Sequence, residues 1–185
     1  MATGAAAQKV TYATTEALGG DLVYLMLHGD YLDSSRFWGE DTADGEEAVN
    51  LSNIPERAGR IVFTGCCWGA LAGDQPALRA LPGTVISPKV PESSIALTFL
   101  VRGAIAFIGC TAAHYSPLEP PYGYFGGPMH EAFWRSIAAG KAPAQALFEA
   151  KVEYALAFPH GRTTPQYEAI EYKILRAYTC LGLGW

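Results

Sequence analysis

Two apolar runs in this chain stop at residues able to do covalent chemistry. Leu22-Val23-Tyr24-Leu25-Met26-Leu27 leads into His28-Gly29, and Ile61-Val62-Phe63-Thr64-Gly65 leads into Cys66-Cys67-Trp68-Gly69. A thiol attacks a carbonyl carbon only as the thiolate, so it needs a neighbouring base or positive field. An imidazole takes and returns a proton near neutral pH. A glycine directly after the histidine lets the backbone approach a substrate carbonyl and frees an N–H to point at it. A glycine shortly after the cysteine permits a tight turn. These residue types equip a cysteine nucleophile with its base and with backbone donors for an oxyanion.

Such a pair works only if the two runs lie side by side. A short apolar run bounded by glycine reads as a buried strand, and open α/β sheets bind ligands just past the carboxyl ends of their strands. Leu22–Leu27 and Ile61–Gly65 are therefore expected as strands, with Thr84–Ser87 and Ala104–Gly109 as two more. Ser93 or Ser94 can cap an apolar helix through Arg102 that Gly103 ends. Pro128 suits the first turn of a helix that Gly140 stops, and a second helix runs from Pro143 to Leu156. A third starts at Thr164-Pro165, where Ile170, Ile174, Ala177 and Leu181 recur on one helical face. Strands alternating with helices imply a mostly parallel sheet covered on both faces, a three-layer α/β sandwich. The polar, acidic stretch from Asp30 to Arg57 reads as a long solvated loop with one helical turn, Leu71 to Leu81 as loop plus short helix, and Ser116 to Pro128 as loop. Residues 1–14 read as a flexible lead-in or short edge element, Lys9 to Ala13 as a short strand or helix end, and 15–185 as one domain.

Bulk properties narrow the function. A chain of 185 residues, half apolar, can bury a core. The net charge of −5 argues against a nucleic-acid footprint, which needs a basic patch. No apolar run reaches the length of a membrane span, and the start lacks the pattern of a secretory signal. Cys66, Cys67, Cys110 and Cys180 show no disulfide framework and no paired spacing for zinc. Free thiols in the cytoplasm, with no metal and no cofactor, are the expectation.

The ordered series resembles the caspase–gingipain–legumain clan of cysteine peptidases, nearest to its gingipain-like and CHAT branches. It is carried by His28-Gly29 after a strand, Gly65-Cys66-x-x-Gly69 after the next, and Trp38 between them. It continues through Ser94-Ile95-Ala96 to Ala104-Ile105-Ala106-Phe107-Ile108-Gly109-Cys110-Thr111. Phe133-Trp134 to Gly140, then Ala146, Ala150-Lys151 and Tyr154, complete it. The match spans roughly residues 15–180. The resemblance implies a caspase-like sheet and cleavage of protein or peptide substrates through an acyl-enzyme. It makes Cys66 the nucleophile, His28 the proton shuttle, and the amides of Gly29 and Cys66 the oxyanion donors. Cys67, in the alternative form Cys-x-Gly with Gly69, competes for the nucleophile role. The segment Cys110, Thr111, His114 and Tyr115 would line a substrate pocket, with Asp30 beside the His-Gly pair. Members of the clan place βα units before the histidine strand, and little chain precedes Leu22 here. The opening strands are thus expected to be missing and to be supplied by a partner chain or a second copy. The alternative to an enzyme is a silent or self-processing peptidase-like module acting as a scaffold or partner-dependent subunit.

Other residues carry weaker expectations. His160-Gly161 follows a helix and reads as loop, and His130 reads as structural. The cluster Glu40, Asp41, Asp44, Glu46 and Glu47 reads as a solvated face, with calcium or a basic substrate as alternatives. The Pro120–Pro128 stretch reads as a crossover or a loop over the substrate.

Overall fold

A computed structural model describes residues 15–39, 47–76, 81–116, 125–157 and 164–183. The expectations for residues 1–14, for Glu40 to Glu46, for 77–80, for 117–124 and for His160-Gly161 lie outside the described residues.

Three short apolar runs form the parallel part of the sheet: β1 (Leu22–Leu25), β4 (Ile61–Thr64) and β5 (Ala106–Cys110). The sheet order is β1-β4-β5-β6, where β6 (Tyr178–Gly182) runs antiparallel to β5. Because strand side chains alternate between faces, β4 feeds two cores. Val62 packs below with Leu25, Ile95, Phe99 and Phe107. Phe63 packs above with Ile108, Met129, Phe133 and Ile174. Helix α1 (Thr15–Leu18) and helix α2 (Ile95–Val101) serve the first core. Helices α3 (Gly127–Ala138), α4 (Pro143–Ala157) and α5 (Pro165–Ala177) serve the second. The chain is therefore mixed α/β, with a mainly parallel sheet flanked by helices. No described helix is long and apolar enough to cross a membrane.

The helices start where short polar side chains or proline permit. The Ser94 side chain accepts from Leu97 N–H at the head of α2, and Thr164 accepts from Tyr167 N–H at the head of α5. Proline occupies the first turn of α3 and α5, where its missing N–H leaves no bond unmade. Helix α2 is only half apolar-buried: Val101 is 71% exposed, while Ile95, Ala96 and Phe99 are sealed.

Four expectations about elements are corrected. The acidic stretch after Asp30 is not all loop. It holds the antiparallel hairpin of β2 (Arg36–Trp38) and β3 (Glu47–Asn50), with Phe37 and Val49 buried opposite each other. Arg36 organises it, with Nε 2.7 Å from Asp33 Oδ2, Nη1 3.1 Å from Glu47 Oε1, and its guanidinium over the Trp38 ring. Thr84–Ser87 forms no strand. Val85 is 83% exposed, and that segment makes only a single bridge nearby, Gly73 to Pro88. Leu181 does not continue the last helix, because Tyr178 starts β6, whose Leu181 pairs with Phe107. The first strand stops at Leu25, short of Leu27, because the chain then turns to bridge the hairpin: His28 N–H donates to Trp38 O at 2.8 Å, and Trp38 N–H returns to His28 O at 3.0 Å. From Leu71 to Pro76 the described chain is irregular, without helix.

Phe63 is the hinge of the upper core. Its ring lies 4.7 Å from both His130 and Phe133, 5.4 Å from Tyr178 and 5.8 Å from Tyr24. Cutting it back removes both its transfer free energy and the packing of these four rings and of Trp134, 6.0 Å away. Phe63→Ala is expected to destabilise the fold by about 3–5 kcal/mol, measured by urea unfolding followed by circular dichroism.

Candidate active site

The pairing register brings the two chemical turns level. Leu25 of β1 is paired with Thr64 of β4, and Leu25 O accepts from Gly65 N–H at 2.8 Å. His28 and Cys67 lie the same number of residues beyond those paired ends. Their loops then touch. A Cβ on Gly29 would sit 2.3 Å from the Cys67 carbonyl oxygen, a collision with backbone that no rotamer relieves. Only glycine fits there, and the fit presses the His-Gly turn onto the Cys-Cys turn. The β2–β3 hairpin holds the histidine from its other side through the Trp38 bridge. His28 itself is exposed.

The two cysteines have opposite environments. Cys66 is fully buried in the lower core, and burial pushes its thiol up to about 12. Its N–H is already spent on Thr64 Oγ1 at 2.9 Å. A thiol so placed is neither accessible nor ionised near neutral pH. Cys67 is only half-buried, and its sulfur accepts from His114 N–H at 3.3 Å. Of the two cysteines expected as candidates, Cys66 is thus the sealed one with its amide already paired, and Cys67 the half-buried one. Adjacent residues leaving a strand point to opposite sides, and here Cys66 continues the inward line of Val62. Cys67 takes the accessible side. Among the described residues neither the Gly29 nor the Cys67 amide has a hydrogen-bond partner.

The turn that presents Cys67 is strained and pinned. Trp68, the next residue, has a φ of 51°, in the left-handed region that bulky side chains avoid. Its N–H donates to Ala112 O at 2.9 Å, and Ala70 N–H donates to Cys110 O at 2.9 Å, so the loops after β4 and β5 are tied together. Gly69 is required by the sharpness of the turn, since a Cβ would lie 2.9 Å from Thr64 Cγ2 and 3.2 Å from Cys66 Cβ. Tyr31, from the loop after the histidine, packs its ring 5.5 Å from Trp68.

The expected pocket residues divide. Cys110 is sealed in the upper core, with its thiol raised by burial, so it lines no pocket. Thr111 spends both its N–H and its hydroxyl on Ala177 O, anchoring the loop. His114 is buried behind Cys67. Tyr115 is 36% exposed, under the Lys173 ammonium at 5.0 Å. Asp30 accepts from Leu32 N–H at 2.7 Å, shaping its own turn. Farther along the same loop an open cleft of about 460 Å³ has Asp33, Ser34, Asp74 and Lys89 on its walls. Burial holds the Lys89 ammonium below its ordinary range. Among the described residues no group of His, Cys, Asp and Glu side chains is placed to hold a metal ion.

Residue types and spacing singled out His114 and His130 only weakly, yet tertiary packing brings the two together. Their rings stack 5.1 Å apart inside the upper core. Burial lowers His114 to about 4 and His130 well below its ordinary value, with the neighbouring ring adding to the second shift. No protein-family model matches the chain, and no curated protein is similar to it.

Two buried neutral histidines tie stability to pH. Each binds a proton in the unfolded chain below its ordinary value of 6.5 but resists it in the fold. The unfolded state then holds more protons, so stability is complete above pH 6.5 and is lost as pH falls toward about 4. His114 alone accounts for about 3 kcal/mol of that loss. Urea midpoints measured across this window should fall steadily, and less steeply in His114→Gln.

Proposed function

We propose that the chain is a caspase-like cysteine peptidase domain in which Cys67 is the nucleophile and His28 the proton shuttle. The observation that carries this reading is the seat of Gly29 against the Cys67 carbonyl. It joins a histidine turn to a half-buried thiol at the carboxyl edge of two adjacent parallel strands, where α/β sheets place their sites. The strained Trp68 beside the thiol adds support, since backbone strain concentrates where a side chain must be held in a working position.

The chemistry runs in two displacements. His28 takes the Cys67 proton, and the thiolate adds to the carbonyl carbon of a peptide bond. The carbonyl oxygen becomes an oxyanion, received by the free amides of Gly29 and Cys67. His28 gives its proton to the departing amine nitrogen, the C–N bond breaks, and a thioester on Cys67 remains. Water, losing a proton to His28, then attacks the thioester carbon. The C–S bond breaks, the thiolate leaves and regains its proton, and a carboxylic acid is released. The substrate is a protein or peptide, with the cleft walled by Asp33, Asp74 and Lys89 available to its side chains.

The open edge of β1 belongs to the same reading. Among the described residues β1 pairs only with β4. Leu22, Tyr24 and Met26 are 56, 47 and 40% exposed, while Val23 and Leu25 are buried between them. An apolar edge with unpaired backbone groups invites a further strand. A partner chain or a second copy would complete the sheet and steady the strand that leads to His28.

Cys67→Ala and His28→Ala are each expected to lower peptidase activity by about a hundredfold or more, as loss of a nucleophile or of its base does. Cys66→Ser is expected to lower the unfolding midpoint while leaving kcat/KM of the folded protein within about threefold. Hydrolysis of a mixed fluorogenic peptide library, assayed alone and with a purified partner chain, reads these effects. Activity kept in Cys67→Ala and lost in folded Cys66→Ser would return the role to Cys66.

A further inference from the structure

Behind Cys67 lies a run of four hydrogen-bonding side chains from four different elements. His114 stands in the loop after β5, and its N–H reaches the Cys67 sulfur at 3.3 Å. Its ring Nδ1 is 3.2 Å from the Tyr178 hydroxyl, at the start of β6. That hydroxyl is 2.6 Å from His130 Nε2, in the first turn of α3. His130 Nδ1 is 2.9 Å from the Tyr24 hydroxyl, on the edge strand β1. Tyr178 and His130 are sealed from solvent, and only Tyr24 opens to it.

Polar side chains in a core lower its packing value unless every group finds a partner. This run does not satisfy that condition, because His114 Nε2 is buried with no partner among the described residues. Either direction of the hydrogen bonds leaves that atom alone. If Tyr24 donates to His130 and Tyr178 donates to His114, Nε2 carries a proton with no acceptor. If His114 donates to Tyr178 and Tyr178 to His130, Nε2 is a lone pair with no donor. The run does hold the His114 ring from one side while Gly65 and Gly126 leave it room on the others: Cβ atoms there would lie 3.4 Å and 2.6 Å from its carbons.

We propose that His114 is a positioning residue for Cys67: its backbone N–H holds the sulfur, and the buried chain through Tyr178, His130 and Tyr24 fixes that N–H in place. The inference rests on Cys67 being the reactive thiol, as the proposed function has it. A hydrogen bond to the charged form of a group favours that form, so the N–H at 3.3 Å favours the thiolate, while the His114 carbonyl, at 3.7 Å, receives the proton of the neutral thiol. The ring anchors the loop, while the main chain acts on the sulfur. Because the run ends on Tyr24 in β1, the strand that leads to His28 and the loop that holds Cys67 are linked through one set of hydrogen bonds.

The test is the rate at which Cys67 of the folded full chain reacts with iodoacetamide at neutral pH, with the site assigned by fragmentation mass spectrometry. Tyr178→Phe keeps the ring and removes the hydroxyl that the two histidines share. It is expected to slow Cys67 alkylation by up to about tenfold, the limit reached if the unanchored His114 N–H no longer holds the charged sulfur. A lower thermal midpoint with an alkylation rate within about twofold of the parent means a merely structural role and overturns the proposal. Should Tyr178→Phe fail to fold, Tyr24→Phe at the half-exposed end serves instead. A slowing of about threefold or more supports the proposal, and an unchanged rate overturns it. His28→Ala, assayed for peptide hydrolysis, tests the peptidase reading separately. A chain without peptidase activity whose Cys67 rate still depends on Tyr178 sinks that reading and keeps this one. An active peptidase whose Cys67 rate ignores both tyrosines does the reverse.

Discussion

The working edge of this molecule depends on one constraint: two adjacent cysteines leave β4 on opposite sides of the chain. Cys66 goes down into the core under the sheet, where no charge is tolerated and its amide is consumed by Thr64. That buried thiol is the peg that fixes the turn. Once it is seated, Cys67 has to emerge on the other side, Trp68 has to take a left-handed backbone, and Gly69 has to squeeze past Thr64. The neighbouring parts then fit around this turn. Gly29 lies on the Cys67 carbonyl, Ala112 accepts from Trp68, and His114 donates to the sulfur. Cys66 thus serves by packing, and Cys67 is left half-buried, the residue to which the proposed function gives the chemistry.

The sheet above this turn supplies rigidity with few strands. Four short strands are clamped between two cores, one built on Phe99 and Phe107 and the other on Phe63 and Phe133. Each strand end is therefore held from both faces, which suits the placing of reactive groups at a tolerance finer than a loop alone gives. The hairpin adds a third support, since Arg36 and its carboxylates set Trp38, and Trp38 sets the His28 backbone. The outer sides of β1 and β6 both lack a strand neighbour among the described residues, and β1 displays alternate apolar side chains. Completion by another strand and catalysis at the adjacent turn are natural companions in the proposed function.

The parallel strands were legible because each is a dense apolar run closed by glycine, and the helices because proline, serine and threonine mark their starts. The hairpin was not, because its strands carry charged and amide side chains and are held by Arg36, Asp33, Glu47 and Asn50 rather than by an apolar pattern. The last strand was hidden by coincidence of period: Leu181 falls where the stripe of the preceding helix would continue, yet its backbone pairs with Phe107. At the site, the His-Gly and Cys turns could be read as partners, but the choice of cysteine could not. It depends on which side chain continues the inward line of Val62, and alternation carried on from that residue points Cys66 inward. The histidine pair was invisible because His114 and His130 are brought together only by tertiary packing.

The account stands most directly on which sulfur meets a substrate-like electrophile. The folded chain, treated with a short peptidyl acyloxymethyl ketone and digested for fragmentation mass spectrometry, reports the modified atom without reference to turnover. The account predicts a thioether on Cys67, formed in the parent chain and lost in His28→Ala, with Cys66 unmodified until the protein is unfolded. A thioether on Cys66 in the folded chain, or Cys67 labelling that is indifferent to His28, contradicts it.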